Sequence, residues 1–360
     1  MQAGGLENFI MNLYRNINRE KIQFDFLVHY KERKHFDDEI EELGGKIYRM
    51  TLRDDNNIFK YMVDLNSFYK QHPEYKIIHC HMSSIGFINF LIAKKNGIKV
   101  RIAHSHNSNT EKNIKGFIKS ILIKPLKYIS TYNFACSTEA GKFLYGKHHF
   151  EVIPNAIDLK LYQFNSEIRK QEREKLNIED KLVVGHIGRF ELQKNHKYII
   201  DIFKEVLKKD PSAILLLAGD GSLYKKIKTY VKELNLESNV KFLGVIKDAY
   251  RLYQAMDCFV LPSFFEGLPV VGIEAQASGL ICLFSNTTTK EVQISQLTKF
   301  LGINKEDIEQ WKENILNARE YDRDCIYDKI RNSKYNIKTT ATYIENFYIK
   351  KLKLGERNEV

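Results

Sequence analysis

The chain of 360 residues has few of the features that mark a specialised class. Its five cysteines (Cys80, Cys136, Cys258, Cys282 and Cys325) are scattered, and none forms a CxxC pair. That spacing excludes a disulfide framework and a cysteine-based zinc site, and points to free thiols in a reducing compartment. The longest apolar stretches, such as "FINFLIA" and "AILLLAG", fall far short of a bilayer span. No secretory signal opens the sequence. The resulting expectation is a cytoplasmic protein that touches the inner face of the cell membrane peripherally without crossing it. Long polar tracts and Pro/Gly/Ser-rich segments are also missing, which excludes extended disorder outside the last few residues. No recognised nucleic-acid motif is present.

What is present is globular. Hydrophobic residues make up 43% and aromatics 12%, and the length is too great for one small core, so two domains are expected. Lysine and arginine number 56 against 45 acids, a formal net charge of +11. Such a balance favours an anionic partner, whether nucleic acid, an anionic membrane face or a phosphorylated substrate. A solvated basic surface accounts for it equally. The lysines interleave with acids over most of the chain, which speaks against nucleic acid.

Short apolar runs alternate with amphipathic helical patterns along the whole sequence. In the second half "LVVGHIGRF", "AILLLAGD", "VKFLGV", "CFVLPS" and "ICLFS" read as strands, with helices between them. Strands apolar on both faces, separated by helices, mean a parallel sheet covered on both sides. The first half repeats the theme in "QFDFLV", "KIYRM", "KIIHCH", "VRIAHSH", "YNFACS" and "FEVIPNA". The expected fold class is therefore α/β, with two doubly wound Rossmann-like domains. Residues 1–165 form the first domain and 166–337 the second. The segment "KTTATYIENFYIKKLKL" reads as a terminal helix, so that 338–360 form a tail returning to the first domain. Ligands of such sheets bind just beyond the carboxyl ends of the strands, where helix N-termini point.

One such position is "FFEGLPVVGIEAQASG", from Phe264 to Gly279. Pro269 suits a helix start near Leu268–Pro269, and Gly279 suits its end. Glu266 then lies on the loop before the helix and Glu274 one to two turns inside it. The free N–H groups of the helix start make an anion site. Carboxylates on either side do not help to hold a phosphate, but they accept hydrogen bonds from hydroxyls. Two acids flanking an anion site suit a nucleotide sugar, with one sugar on each side of a diphosphate. Read singly, either acid is equally a solvated surface group, and Arg189 and Lys194 are equally surface charges.

The Glu-x7-Glu spacing of "EGLPVVGIE" resembles that of the retaining glycosyltransferases with the GT-B fold, and the chain looks like glycosyltransferase family 4. "GHIGRFELQKNH" (185–196), "LLAGDGSLYKKI" (216–227), "VKFLGVIKD" (240–248), "DCFVLPSFFEGLP" (257–269) and "VIPNAIDLKLY" (152–162) match the family in order and spacing. The resemblance covers nearly the whole chain, and is more specific in the second domain than in the first. It implies a GT-B architecture, two domains facing each other across a cleft. Glu266 would contact the donor hexose, and Glu274 would hold the ribose hydroxyls. Arg189, after Gly188, and Lys194 would grip the diphosphate and stabilise the leaving group. Gly219 belongs to the Gly-Asp-Gly turn. The backbone of Gly267, Leu268 and Pro269 would approach phosphate and sugar, and that of Val245 and Ile246 the base.

The first domain contributes histidines. His79 and His81, and His104 and His106, form two His-x-His pairs at strand ends. Such a pair puts both rings on one face, which also suits a metal. Carboxylate or thiol company at useful spacing is missing, so no metal is expected. A satisfied buried histidine accounts for at least two of the four. The resemblance implies that one histidine lies over the donor sugar, His106 first, with His81 or His104 sharing the role. Gly4 and Gly5 in "MQAGGLENFIMNLYRNI" match the family's loop beside the donor phosphates. Family members carry an apolar first strand before this loop, in the middle of the sheet. Here that strand is apparently absent, which would leave its neighbours unpaired. The segment "EKNIKGFIKSILIKPLKYIS", with Lys112, Lys115, Lys119, Lys124 and Lys127, reads as a basic amphipathic helix. It suits a membrane surface or the acceptor side, or an ordinary core helix with a lysine-rich outer face. "DRD" (322–324) imitates a metal-binding Asp-x-Asp away from any strand end and is taken as a chance match.

The resulting expectation is a metal-independent retaining hexosyltransferase without a cofactor. Its donor is a UDP-sugar, and its acceptor a hydroxyl of a lipid-linked saccharide in surface polysaccharide synthesis. The alternatives are another GT-B nucleotide-sugar enzyme, such as an epimerase, and a non-catalytic nucleotide-sugar-binding protein.

Overall fold

The computed structural model describes residues 5–55, 57–106, 123–319, 323 and 326–357. The chain forms two compact units, one of residues 1–157 with 334–360 and one of residues 158–333.

The second unit is built on a six-stranded sheet of β7 (Val183–Ile187), β8 (Ile214–Ala218), β9 (Val240–Gly244), β10 (Cys258–Leu261), β11 (Ile281–Ser285) and β12 (Thr298–Leu301). Its order is β12-β11-β10-β7-β8-β9, and every ladder is parallel. β8 and β10 are buried along their whole length, as their unbroken apolar runs require. The helix His196–Leu207 packs Ile199, Ile202, Phe203 and Val206 into the core, one apolar stripe at helical spacing. The edge strand β12 was not anticipated. Its sequence "TKFL" is short and only half buried, and so carries no continuous apolar run.

The first unit holds two sheets. β1 (Phe26–Val28) pairs in parallel with β2 (Ile47–Arg49). β3 (Ile77–Cys80), β4 (Val100–Ser105), β5 (Tyr132–Ala135) and β6 (Glu151–Val152) form a parallel four-stranded sheet in that order. Among the described residues no ladder joins the two sheets, so β1 and β3 each keep one unpaired edge. Side chains connect them instead. Phe9, Met11, Leu13 and Tyr14 of the helix Gly5–Asn16 share one core with Phe26, Val28, Val100, Ile102 and Phe134. Ile344 and Tyr348 of the terminal helix Ile337–Arg357 join the same core.

The units divide at Ile157/Asp158 rather than after residue 165. The reason is local. Asn165 caps the helix Ser166–Leu176, and its own N–H donates to Gln254 Oε1 at 3.0 Å. Arg169 and Arg173 both reach Asp257, which ties that helix to the start of β10. The chain re-enters the first unit at Lys334, four residues before the expected 338. There Ile157 and Asn336 form an isolated parallel bridge.

Candidate active site

In the second unit the strand-end loops are fastened to one another by their backbones. The Gly188 N–H donates to Ala218 O at 3.0 Å, Phe190 N–H to Asp220 O at 3.0 Å, and Gly219 N–H to Gly244 O at 2.7 Å. Loops after β7, β8 and β9 thus lie side by side at the carboxyl edge of the sheet. Gly219 has φ +135°, and a Cβ there would stand 2.0 Å from Gly188 O, so only glycine fits. Between these anchors Arg189 is exposed, and among the described residues no side-chain hydrogen bond or ion pair engages it. Val245, the next residue after β9, is 78% exposed, and Ile246 is half-buried.

The loops after β7 and β10 are joined as well. Phe264 N–H donates to Gln193 O at 2.9 Å, and Gln193 Nε2 donates to Phe265 O at 2.9 Å. Lys194 Nζ stands 2.6 Å from Glu266 Oε1, and Gln193 Nε2 lies 3.3 Å from Glu266 Oε2. The Glu266 side chain is only 7% exposed, so it is a fixed carboxylate and not a solvated loop acid. Among the described residues His186 donates from Nδ1 to Val260 O at 2.9 Å, while its Nε2 and both nitrogens of His196 find no hydrogen-bond partner. Burial pushes the His196 imidazole down to about 4, and the positive charge of Lys194 adds to the effect.

The helix of the opening motif spans Val270–Ala277, with Pro269 as its N-cap, one residue later than expected. Gly279 at φ +71° ends it. Gly267 and Leu268 are half-buried on the approach. Glu274 is no surface acid. Tyr162 donates to its Oε1 at 3.0 Å and Tyr253 to its Oε2 at 2.9 Å. Burial raises the carboxyl's pKa, and the two hydroxyls act in the opposite direction. A carboxylate offers about four lone-pair positions, so two remain for a ligand's hydroxyls. Tyr162, Tyr253 and Gln193 escaped the sequence reading. Tyr162 and Gln193 lie inside family motifs, but nothing in those motifs ties Tyr162 to an acid 112 residues away or Gln193 to one 73 residues away.

In the first unit β3 and β4 bring the four histidines together. The backbone carbonyl of Ile153 can only accept, so His104 Nε2 carries a proton toward it at 3.2 Å. His104 Nδ1 therefore accepts from His79 Nε2 at 3.1 Å, and His79 Nδ1 accepts from the Tyr348 hydroxyl at 2.5 Å. By the same logic His106 Nδ1 donates to Asn155 Oδ1 at 3.1 Å and its Nε2 accepts from His81 Nδ1 at 2.9 Å. Burial pushes His79 and His106 down to about 3, and His81 and His104 well below their ordinary value. All four are neutral near pH 7. Phe9 lies against three of these rings. One nitrogen from each of His79, His81 and His104 lies within 4.8 Å of the other two; spacing put His79 and His81 on one face, and the pairing of β3 with β4 brings His104 to them.

Gly5 is the first residue of the helix Gly5–Asn16, whereas Gly4 lies outside the described residues. So do Lys112, Lys115 and Lys119 of the lysine-rich segment, leaving Lys124 exposed and Lys127 half-buried. Asp322 and Asp324 of "DRD" also lie outside them, but Arg323 is buried. Its guanidinium donates to the carbonyls of Tyr253, Gln254, Met256 and Ser278. That is a structural assignment for the middle residue.

Two family models match. "Glycosyl transferases group 1" covers residues 168–331, and "Glycosyltransferase Family 4" covers residues 3–161. The putative glycosyltransferase EpsF of Bacillus subtilis is 35% identical over 329 residues, 88% of this chain and 85% of that protein. The chain is a glycosyltransferase of this family. A second relative, the UDP-Gal:alpha-D-GlcNAc-diphosphoundecaprenol alpha-1,3-galactosyltransferase of Escherichia coli, is 29% identical over 73% of this glycosyltransferase and 72% of the relative. The crystal structure of Anabaena Alr3699/HepE in complex with UDP superimposes with a TM-score of 0.74, covers 98% of both chains and shares 17% identity. At that identity it shows the fold, which is GT-B, with two Rossmann-like α/β domains.

Proposed function

We propose that this glycosyltransferase moves a hexose, with retention of configuration, from a UDP-sugar to a hydroxyl of a lipid-linked saccharide in surface polysaccharide synthesis. The observation that carries the reading is the fixed pair of acids around the start of the helix Val270–Ala277. Glu266 is held by Lys194 and Gln193, and Glu274 by two tyrosines that leave it acceptor capacity. The pair suits hydroxyls on either side of a diphosphate. UDP in the HepE structure and the nucleotide and lipid diphosphate in the Escherichia coli relative's name support the donor and acceptor classes.

In this reading Glu274 takes the ribose hydroxyls and Glu266 the hexose. Arg189, Lys194 and the helix N-terminus take up the charge that develops on the diphosphate as the glycosyl C–O bond breaks. The acceptor oxygen forms the new bond from the same face, and the departing phosphate takes its proton. His106 is the first unit's candidate for a hydrogen bond to a sugar hydroxyl, with His81 and His104 beside it. No metal ion is required for transfer. The protein acts in the cytoplasm at the inner membrane face. Among the described residues no helix is long and apolar enough to cross a membrane.

The test is incubation of the purified protein with radiolabelled UDP-hexoses and membrane lipid extract, with a chelator present. Label entering the lipid fraction with retained anomeric configuration is the expected result. Folded protein that gives no labelled lipid with any UDP-hexose, with or without divalent ions, refutes the reading.

A further inference from the structure

The loops that fix Glu266 also fix a side chain with an acceptor left over. We propose that Gln193 is a specificity-determining residue of the donor-sugar site, whose side-chain oxygen accepts a hydrogen bond from a hexose hydroxyl on the ring carbon next to the one whose hydroxyl Glu266 takes. The inference rests on the reading that Glu266 contacts the donor hexose.

Three observations carry this. The first is the orientation of the amide. One terminal atom of Gln193 lies 2.9 Å from Phe265 O and 3.3 Å from Glu266 Oε2. A backbone carbonyl and an ionised carboxylate can only accept, so the atom facing both is the nitrogen, and both of its hydrogens are committed. The oxygen is what remains. Among the described residues no donor meets Gln193 Oε1, and it is not sealed from solvent.

The second is rigidity. Gln193 sits in the 3-10 turn Leu192–Lys194, and its backbone carbonyl accepts from Phe264 N–H at 2.9 Å. The next residue, Asn195, donates from Nδ2 to Pro262 O at 3.2 Å. On the other side Glu266 forms an isolated parallel bridge with Thr288. Backbone and side chain are therefore both tied down at Gln193 and at Glu266. The amide oxygen and the carboxylate keep their spacing when a ligand arrives, which is the preorganisation that a reading site needs.

The third is the chemistry of the pair. Lys194 occupies a position on Glu266 Oε1 and Gln193 one on Oε2, which leaves about two of the carboxylate's four acceptor positions. The amide oxygen stands beside them, joined through one carbon to the nitrogen that meets Oε2. Two acceptors so close, one of them charged, disfavour a phosphate oxygen and call for two neighbouring donors. A hexose offers these as hydroxyls on adjacent ring carbons, and an acetamido N–H can stand in for one of them. A sugar that lacks either donor, or carries it alkylated, leaves a desolvated acceptor unpaired and is rejected on that account.

The experiment uses the full chain and isothermal titration with UDP-glucose, UDP-galactose and their analogues deoxygenated at one ring position each. The panel is measured on the parent, Gln193→Met and Glu266→Gln. Each variant and analogue then form a cycle that isolates one contact. In the parent, loss of the hydroxyl that Gln193 reads should weaken binding by about 2–12-fold, the range for one neutral hydrogen bond. That cost should vanish in Gln193→Met and persist in Glu266→Gln. Glu266→Gln should cut the cost at the adjacent position instead. A purely structural role for Gln193 would weaken the whole panel by one factor and leave the differences between analogues untouched. Gln193→Asn, which keeps an amide but withdraws it by one methylene, gives the same reading should Gln193→Met fail to fold. If Glu266→Gln alters the cost at one position while the Gln193 variants alter none, the inference is overturned and the hexose reading of Glu266 stands. If Glu266→Gln alters none either, that reading fails and takes the inference with it.

Discussion

Replacing Glu274 separates two roles that its surroundings superimpose. Its carboxylate accepts from Tyr162 at 3.0 Å and Tyr253 at 2.9 Å, and two acceptor positions remain for the ribose of a UDP donor. In Glu274→Gln the side chain keeps its shape. The amide oxygen accepts from one tyrosine, and the other hydroxyl can turn to accept from the amide nitrogen. Burial of a charge is also relieved, since the wild-type carboxyl has a raised pKa. Stability should therefore stay within about 0.5–1 kcal/mol of the parent. Binding should not. Hydrogen bonds to an ionised acceptor are about twice as strong as neutral ones, so each of two ribose hydroxyls loses about 0.75–1.5 kcal/mol. The sum is about 1.5–3 kcal/mol, or roughly a 10–100-fold rise in Kd for UDP. Glu274→Ala differs in stability. It leaves the Tyr162 hydroxyl without its acceptor, whereas Tyr253 retains Val271 O at 3.2 Å. A stranded hydroxyl costs about 1–3 kcal/mol. Isothermal titration with UDP and thermal unfolding of the three proteins make the assay. If Glu274→Gln binds UDP as tightly as the parent, the carboxylate does not hold the ribose, and the donor assignment built on it fails.

Three further outcomes are expected. Gly219→Ala forces an alanine into φ +135° with its Cβ against Gly188 O, costing about 1–3 kcal/mol from backbone conformation alone, and should abolish the thermal shift produced by UDP; parent-like urea unfolding would contradict this. Arg323→Ala takes the guanidinium donors from Tyr253 O and Ser278 O, whereas Gln254 O and Met256 O still accept from Arg169, and it should lower the unfolding free energy by at least about 2 kcal/mol, while a change under about 0.5 kcal/mol would refute its structural role. His186 and His196 have folded-state pKa values below the ordinary 6.5, so the stability they contribute is present above that value and is lost as pH falls from it toward about 4. The groups facing His196 are His186, Phe190 and Lys194, none of them an acid. Removing His196 as His196→Phe should cut the slope of unfolding free energy against pH in that window by up to about 1.4 kcal/mol per pH unit, and an unchanged slope in urea titrations would disprove the assignment.

The strands were legible because a parallel strand buried on both faces has to be apolar along its length, as in "AILLLAG". β12 was not, since an edge strand bearing Lys299 escapes that requirement. The motif residues of the second unit were legible from order and spacing. Their partners were not. Nothing in the sequence around Tyr162 or Tyr253 marks either as the group that holds Glu274, because residues 112 and 21 positions apart meet only through the packing of their helices.

The sequence by itself determined the α/β class, the alternation of elements and the family, all of which rest on local periodicity and short motifs. The tertiary structure alone decided the state of each charged or titratable group. It paired Lys194 with Glu266, kept Arg189 exposed, buried Arg323 among carbonyls, and set the four histidines as one neutral cluster. The physical reason is range. Secondary structure follows from residues a few positions apart, whereas a side chain's charge and hydrogen bonds depend on neighbours that only the folded sheets bring within 3 Å or so.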